Sequence, residues 1–214
     1  QTLYLCGRDG AWNLDTWSGI YRLDTTVAWI PSISSSSHAN WVWLNNNTAV
    51  MTIANGSAGP SPITSYYCND TANSCNPTTA WNSRTLSGLS NGTHYFRAKT
   101  CDTWGCSSVR SFTLKIDRQL PSWTAINSPS VWTNTDVEVT VWCSNITHSP
   151  CNMTAIAGWT VSWTDYKKTF TANASWNITI RDTAGNTRSI AYNVWNIDII
   201  APTTSANNSS SWLW

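Results

Sequence analysis

From Asp136 to Cys143 the chain alternates: Val137, Val139, Val141 and Cys143 fall on one face, Glu138, Thr140 and Trp142 on the other. Phe112, Leu114 and Ile116 alternate in the same way with Thr113 and Lys115. Between His94 and Thr100, Phe96 and Ala98 alternate with Arg97 and Lys99. Successive side chains of a strand point to opposite faces, so each run predicts a half-buried β-strand. Clusters of turn-forming residues, Ser90-Asn91-Gly92-Thr93 and Ala54-Asn55-Gly56-Ser57, separate such runs. No segment sustains the 3.6-residue period of an amphipathic helix. The pattern predicts an all-β protein of stacked antiparallel sheets.

Three segments repeat. The first is Arg8-Asp9-Gly10-Ala11-Trp12-Asn13, leading to Asp24; the second is Cys101-Asp102-Thr103-Trp104-Gly105, leading to Asp117. The third is Arg181-Asp182-Thr183-Ala184-Gly185-Asn186, leading to Asp198. The two aspartates of each copy lie 15, 15 and 16 residues apart, and the copies follow one another at intervals of 93 and 81 residues. Such intervals suit a β-sandwich of roughly 100 residues rather than a short solenoid repeat. The expected organisation is therefore the end of a preceding repeat at 1–24, sandwiches at 25–117 and 118–198, and the start of another at 199–214. Pro121 and Pro202 stiffen two of the junctions by fixing φ. Both chain ends are read as cut through a longer protein.

The Asp182–Asn186 turn, followed by a strand ending in Ile-Asp and by Ala201-Pro202, resembles the tandem bacterial immunoglobulin-like and fibronectin type III-like repeats of surface proteins. Leu86 to Phe96 is similar to the fibronectin-type approach to strand F, and Val131 to Val137 to the opening strand of the other type. The resemblance implies tandem sandwiches strung out like beads, outside the cell or on its surface. It implies a structural or adhesive segment, with a host-cell or glycan surface ligand as partner. It brings no catalytic residues, no cofactor and no metal, and the chain is expected not to be an enzyme. The alternative is a carbohydrate-binding accessory region of a secreted enzyme.

Composition narrows the partners. A net charge of +1, with 11% charged residues, leaves no basic stripe to neutralise phosphates, so nucleic acid is not expected. No run of 18 apolar residues is present, so no membrane insertion is expected, and oligomeric state is left open. His38, His94 and His148 share no spacing with a nucleophile and are expected on the solvated surface. Asp24, Asp117 and Asp198 could contribute to calcium sites at junctions, but each junction offers too few oxygens; the Asp of each turn is expected to cap its own backbone. Asn46, Asn91 and Asn177 open glycosylation sequons.

Seven cysteines point to an oxidising compartment. By proximity they pair as Cys68 with Cys75, Cys101 with Cys106 and Cys143 with Cys151, leaving Cys6 for a partner upstream. Sequence does not choose among the three connectivities of Cys68, Cys75, Cys101 and Cys106, and a zinc site built from those four is the weaker alternative.

Sixteen tryptophans against three phenylalanines and ten glycines is abnormal for a turn-rich chain. Trp12 occupies the place of Gly185 in the repeated turn. Trp176 is expected in a turn before a strand, and Trp17, Trp104 and Trp159 in turn-like contexts. A source that reads UGA as glycine, translated with UGA as tryptophan, would produce this pattern; Trp43, Trp132 and Trp163 match aromatic positions of the resemblance. The rival readings are a sugar-stacking platform and ordinary core or surface aromatics.

Overall fold

The computed structural model describes residues 2–8, 14–20, 25–56, 61–144 and 148–204, with the backbone alone described for the first two stretches. The chain divides into two compact units, Gln1–Arg118 and Gln119–Trp214. All regular structure among the described residues is strand.

The first unit holds β1 (Thr2–Arg8), β2 (Leu14–Ile20), β3 (Ser32–Ser35), β4 (Trp43–Leu44), β5 (Ala49–Ala54), β6 (Thr64–Asp70), β7 (Thr79–Ala80), β8 (Ser83–Leu86), β9 (Gly92–Cys101) and β10 (Arg110–Ile116). Strands β1 and β2 form an antiparallel pair. A five-stranded sheet runs β4-β10-β9-β6-β7 and a three-stranded sheet β3-β5-β8. Strand β4 pairs in parallel along β10. Met51 and Ile53 from β5 and Leu86 from β8 share one buried cluster with Tyr67, Phe96, Phe112, Leu114 and Ile116 of the larger sheet. One core between two sheets is a β-sandwich. The alternation in β9 and β10 is seen as expected, with Phe96, Ala98, Leu114 and Ile116 essentially inaccessible. Thr113, on the other face of β10, is also buried: its N–H donates to Asn40 Oδ1 at 2.8 Å and its carbonyl accepts from Trp41 N–H at 3.1 Å.

The second unit holds β11 (Ser122–Ser128), β12 (Val137–Ser144), β13 (Thr160–Val161), β14 (Asp165–Phe170), β15 (Ala174–Arg181) and β16 (Thr187–Val194). Its sheets run β11-β12-β14-β13 and β15-β16. Val137, Val139 and Val141 pack with Tyr166 and Phe170 against Ile178, Ile180, Ile190 and Val194, again one core shared by two sheets.

The three sequence repeats are three antiparallel hairpins: β1–β2, β9–β10 and β15–β16. In the third, Arg181 pairs with Thr187 across a loop of residues 182–186. In the first, Arg8 pairs with Leu14 across residues 9–13, a loop of the same length that lies outside the described residues. In the second, Cys101 bridges Cys106 across residues 102–105, one residue fewer.

Candidate functional site

The outer face of the five-stranded sheet brings several cations and aromatics together. Alternation along β9 puts Thr93, Tyr95, Arg97 and Lys99 on this face, and pairing sets Lys115 beside Thr93 and Trp43, and Tyr66 beside Lys99. A loop closed by the Cys68–Cys75 disulfide lies across it. Arg97 Nη1 donates to Cys75 O at 2.7 Å, Lys99 Nζ to Asn76 Oδ1 at 3.1 Å, and Ser111 Oγ to Asn73 Oδ1. Asp70 shapes the loop from below: Oδ1 accepts from Asn73 N–H at 3.0 Å, and Oδ2 from Ser74 and Cys75 N–H, each at 2.8 Å. These donors, the Ser74 N–H foremost, hold the Asp70 carboxyl below its ordinary value. Lys115 lies over two indoles, 5.3 Å from the Trp41 ring centroid and 5.4 Å from that of Trp43. The positive charges of this face therefore have partners within the fold, and the disulfide loop roofs its centre.

The three disulfides join the pairs nearest in sequence. Cys101 and Cys106 face each other across an antiparallel bridge with Cα atoms 4.0 Å apart. The other two do not join facing strand residues. Cys68 on β6 reaches Cys75 in the loop, with Cα atoms 6.2 Å apart. Cys143 on β12 reaches Cys151, which bridges Asp182 at the end of β15, so this bond ties the two sheets of the second unit together. Each loop is short, and each bond stabilises by about 2–3 kcal/mol through the unfolded chain. With these sulfurs paired, the four-cysteine zinc alternative loses its thiolate ligands. The side chain of Cys6 lies outside the described residues.

The turn aspartates cap their own backbone. Asp102 Oδ1 accepts from Trp104 and Gly105 N–H at 2.8 and 2.9 Å. Asp182, fully buried, accepts from Asn186 N–H on Oδ1 and from Asn186 Nδ2 on Oδ2, both at 2.8 Å. Asp198 Oδ1 accepts from Ile200 N–H at 3.0 Å. Asp117 is buried, and its N–H donates to Leu44 O at 3.0 Å. Asp24 lies outside the described residues. Among the described residues no three His, Cys, Asp or Glu side chains converge as metal ligands.

Two histidines are not on the solvated surface. His38 is 4% exposed and sits in a hydrogen-bonded chain: Val50 N–H donates to Ser37 Oγ, Ser37 Oγ lies 2.9 Å from His38 Nδ1, and His38 Nε2 lies 2.9 Å from Asn46 O. A carbonyl beside Nε2 requires the proton there, so the imidazole bridges Ser37 and Asn46, and Ser37 ties this segment to β5 by accepting from Val50 N–H. His94 is buried with Nε2 2.9 Å from Ser90 O, closing the turn before β9. The sequence missed these because a buried histidine whose partners are carbonyls and hydroxyls leaves no spacing signature.

The tryptophans divide. Trp17 lies within β2 and Trp176 within β15, so their expected placement in turns is corrected. Trp159 is buried in the core of the second unit, while Trp104 sits in a bend, half exposed. Trp176 contacts Trp159 and Phe170 edge to face, at 6.2 and 6.5 Å. Lys168, on the core side of β14 between Tyr166 and Phe170, brings its ammonium to 3.0 Å from the Trp176 ring centroid. This lysine in an aromatic box was not visible in the sequence, where it reads as one of two adjacent surface cations. Trp12 lies outside the described residues. Among the described residues the exposed indoles, at 29, 41, 81 and 104 in the first unit and 132, 163 and 195 in the second, sit outside the strands, not together on one sheet face.

A hollow of ≈ 740 Å³ is lined by Thr25, Thr26, Val27, Ala28, Trp29, Ile30, Cys106, Ser107 and Ser108, none of which supplies a carboxylate, imidazole or amine for proton transfer. A second, ≈ 450 Å³, includes the Glu138–Lys167 ion pair at 3.2 Å, both side chains nearly half exposed, a contact of at most about 1 kcal/mol. Burial pushes the Tyr166 and Tyr192 hydroxyls above their ordinary value. Compared with protein-family models and with curated proteins, the chain matches none.

Proposed function

We propose that the chain is a structural or adhesive segment of a secreted or cell-surface bacterial protein, its units arranged as tandem immunoglobulin-like or fibronectin type III-like repeats. One observation carries the reading: each unit is an all-β body with its own core, its polar side chains are engaged in closing turns and pinning loops, and disulfides lock those loops. A segment built this way resists proteases and load, and it suits an oxidising compartment. The alternative, a carbohydrate-binding accessory region, rests on the exposed indoles. It is disfavoured because a stacking surface needs them on one face.

Pulling the oxidised chain by its ends while screening it on a glycan array tests both readings. The proposal expects separate force peaks for two units, and any glycan retention to persist when the exposed tryptophans are replaced by alanine. Saturable binding of one sugar class that is lost with those indoles would favour the alternative, and extension without a resolved peak would overturn the structural role.

A further inference from the structure

We infer that positions 12 and 41 are glycine in the protein as its source makes it, their codons being read there as glycine rather than tryptophan. The backbone at 41 carries the argument. Ala39 to Val42 form a turn closed by Val42 N–H on Ala39 O at 3.3 Å. Trp41, the third residue, has φ 67°. Asn40 before it keeps a negative φ, since Trp41 and Asn73 are the non-glycine residues with positive values among those described. Negative then positive φ is the type II pattern, whose third position takes glycine because a Cβ there meets the following carbonyl. Asn73, at φ 55°, is a residue type that tolerates the left-handed region; tryptophan is not.

Packing does not explain an indole at this position. Trp41 is 60% exposed. The left-handed conformation disfavours a side chain by about five- to thirtyfold. The exposed contact with Lys115 offsets only about two- to fivefold of that.

Position 12 is reached independently, through the repeat. Gly185 is the fourth residue of the 182–186 loop and has φ 96°. Trp12 is the fourth residue of the 9–13 loop, which joins a hairpin paired in the same way and shares the Asp, Ala and Asn positions. The repeated sequence pattern therefore sets glycine at the fourth place, position 12. Trp159 and Trp176 stand outside the inference, because both pack against a core and neither has positive φ. Glycine at 41 also removes one indole from the set on which a sugar-binding reading would draw.

The test has two arms. In peptide mass spectrometry of the protein isolated from its source, the tryptic segments Asp9–Arg22 and Leu23–Arg84 should carry glycine at 12 and 41. Tryptophan at both overturns the inference, and tryptophan at one overturns it for that position. In the recombinant chain, Trp41→Gly should leave the first unit more stable than Trp41→Ala, by roughly fivefold in the unfolding constant once glycine's extra unfolded-state freedom is set against the relieved strain. The order should reverse at Trp81, an exposed tryptophan without positive φ, where Trp81→Ala should be the more stable variant. Alanine equal to or better than glycine at 41 would overturn the backbone argument.

Discussion

At the ends of β9 and β15 the chain turns on an aspartate whose Oδ1 accepts backbone N–H groups from the loop it opens. In the second unit the loop is closed by Asn186, whose side-chain amide reaches the remaining oxygen of Asp182 at 2.8 Å; both residues are buried. In the first unit a cysteine follows the turn glycine where the second unit has asparagine. Cys106 bonds back to Cys101, the loop is one residue shorter, and Asp102 Oδ2 is buried with no hydrogen-bond partner. One turn is fastened by a polar network, the other by a covalent bond that tolerates an orphaned oxygen. The difference teaches that a crosslink relaxes the hydrogen-bond accounting a buried turn otherwise has to satisfy.

The comparison breaks most severely at Asp182. Asp182→Ala strands two buried donors of Asn186 and should destabilise the second unit by about 3 kcal/mol in urea unfolding followed by amide exchange of β15 and β16. Replacing Cys101 and Cys106 together by serine should cost the first unit about 2 kcal/mol, read from β9 and β10 in the same way. Asp102→Ala in the oxidised protein should cost only about 1 kcal/mol, because the crosslink keeps the loop near its folded shape in the unfolded chain as well.

Titration should separate the units in opposite directions. Tyr166 and Tyr192 ionise in the fold above the ordinary value of 10.0. Their contribution is whole below that value and lost as pH rises through the folded one, so the second unit should weaken in alkali. The Asp70 carboxyl is held below its ordinary value of 3.8, so its contribution is whole above that value and lost as pH falls through the folded one. Protection of the Asn73 to Cys75 amides, measured relative to their intrinsic exchange rate at each pH, should therefore fall in acid, by the smallest effect of the set because Asp70 is exposed to water.

The strands were legible because burial on one face imposes period two. Val137, Val139 and Val141, and Phe112, Leu114 and Ile116, lie where alternation puts them. The repeated hairpins were legible because the turn's aspartate and glycine answer to backbone geometry. Lys168 was not, since its role depends on an indole that β15 brings across; nor were the two buried histidines, whose partners are nearby backbone carbonyls, Asn46 O and Ser90 O, that leave no mark in residue type. The turn placement of Trp176 failed for a related reason. Its small polar neighbours suggest a loop, but the ladder from Ala174 to Arg181 carries it into the sheet, where its ring packs on Trp159 and Phe170.

A double-mutant cycle tests most directly whether a disulfide in one unit replaces the polar closure of the other. Asp102→Ala is measured with the Cys101–Cys106 bond present and with both cysteines changed to serine, reading amide exchange in β9 and β10. The account predicts that the aspartate's contribution grows from about 1 kcal/mol with the bond to about 2 kcal/mol without it, approaching that of Asp182. An Asp102→Ala cost that is the same in both backgrounds would contradict it.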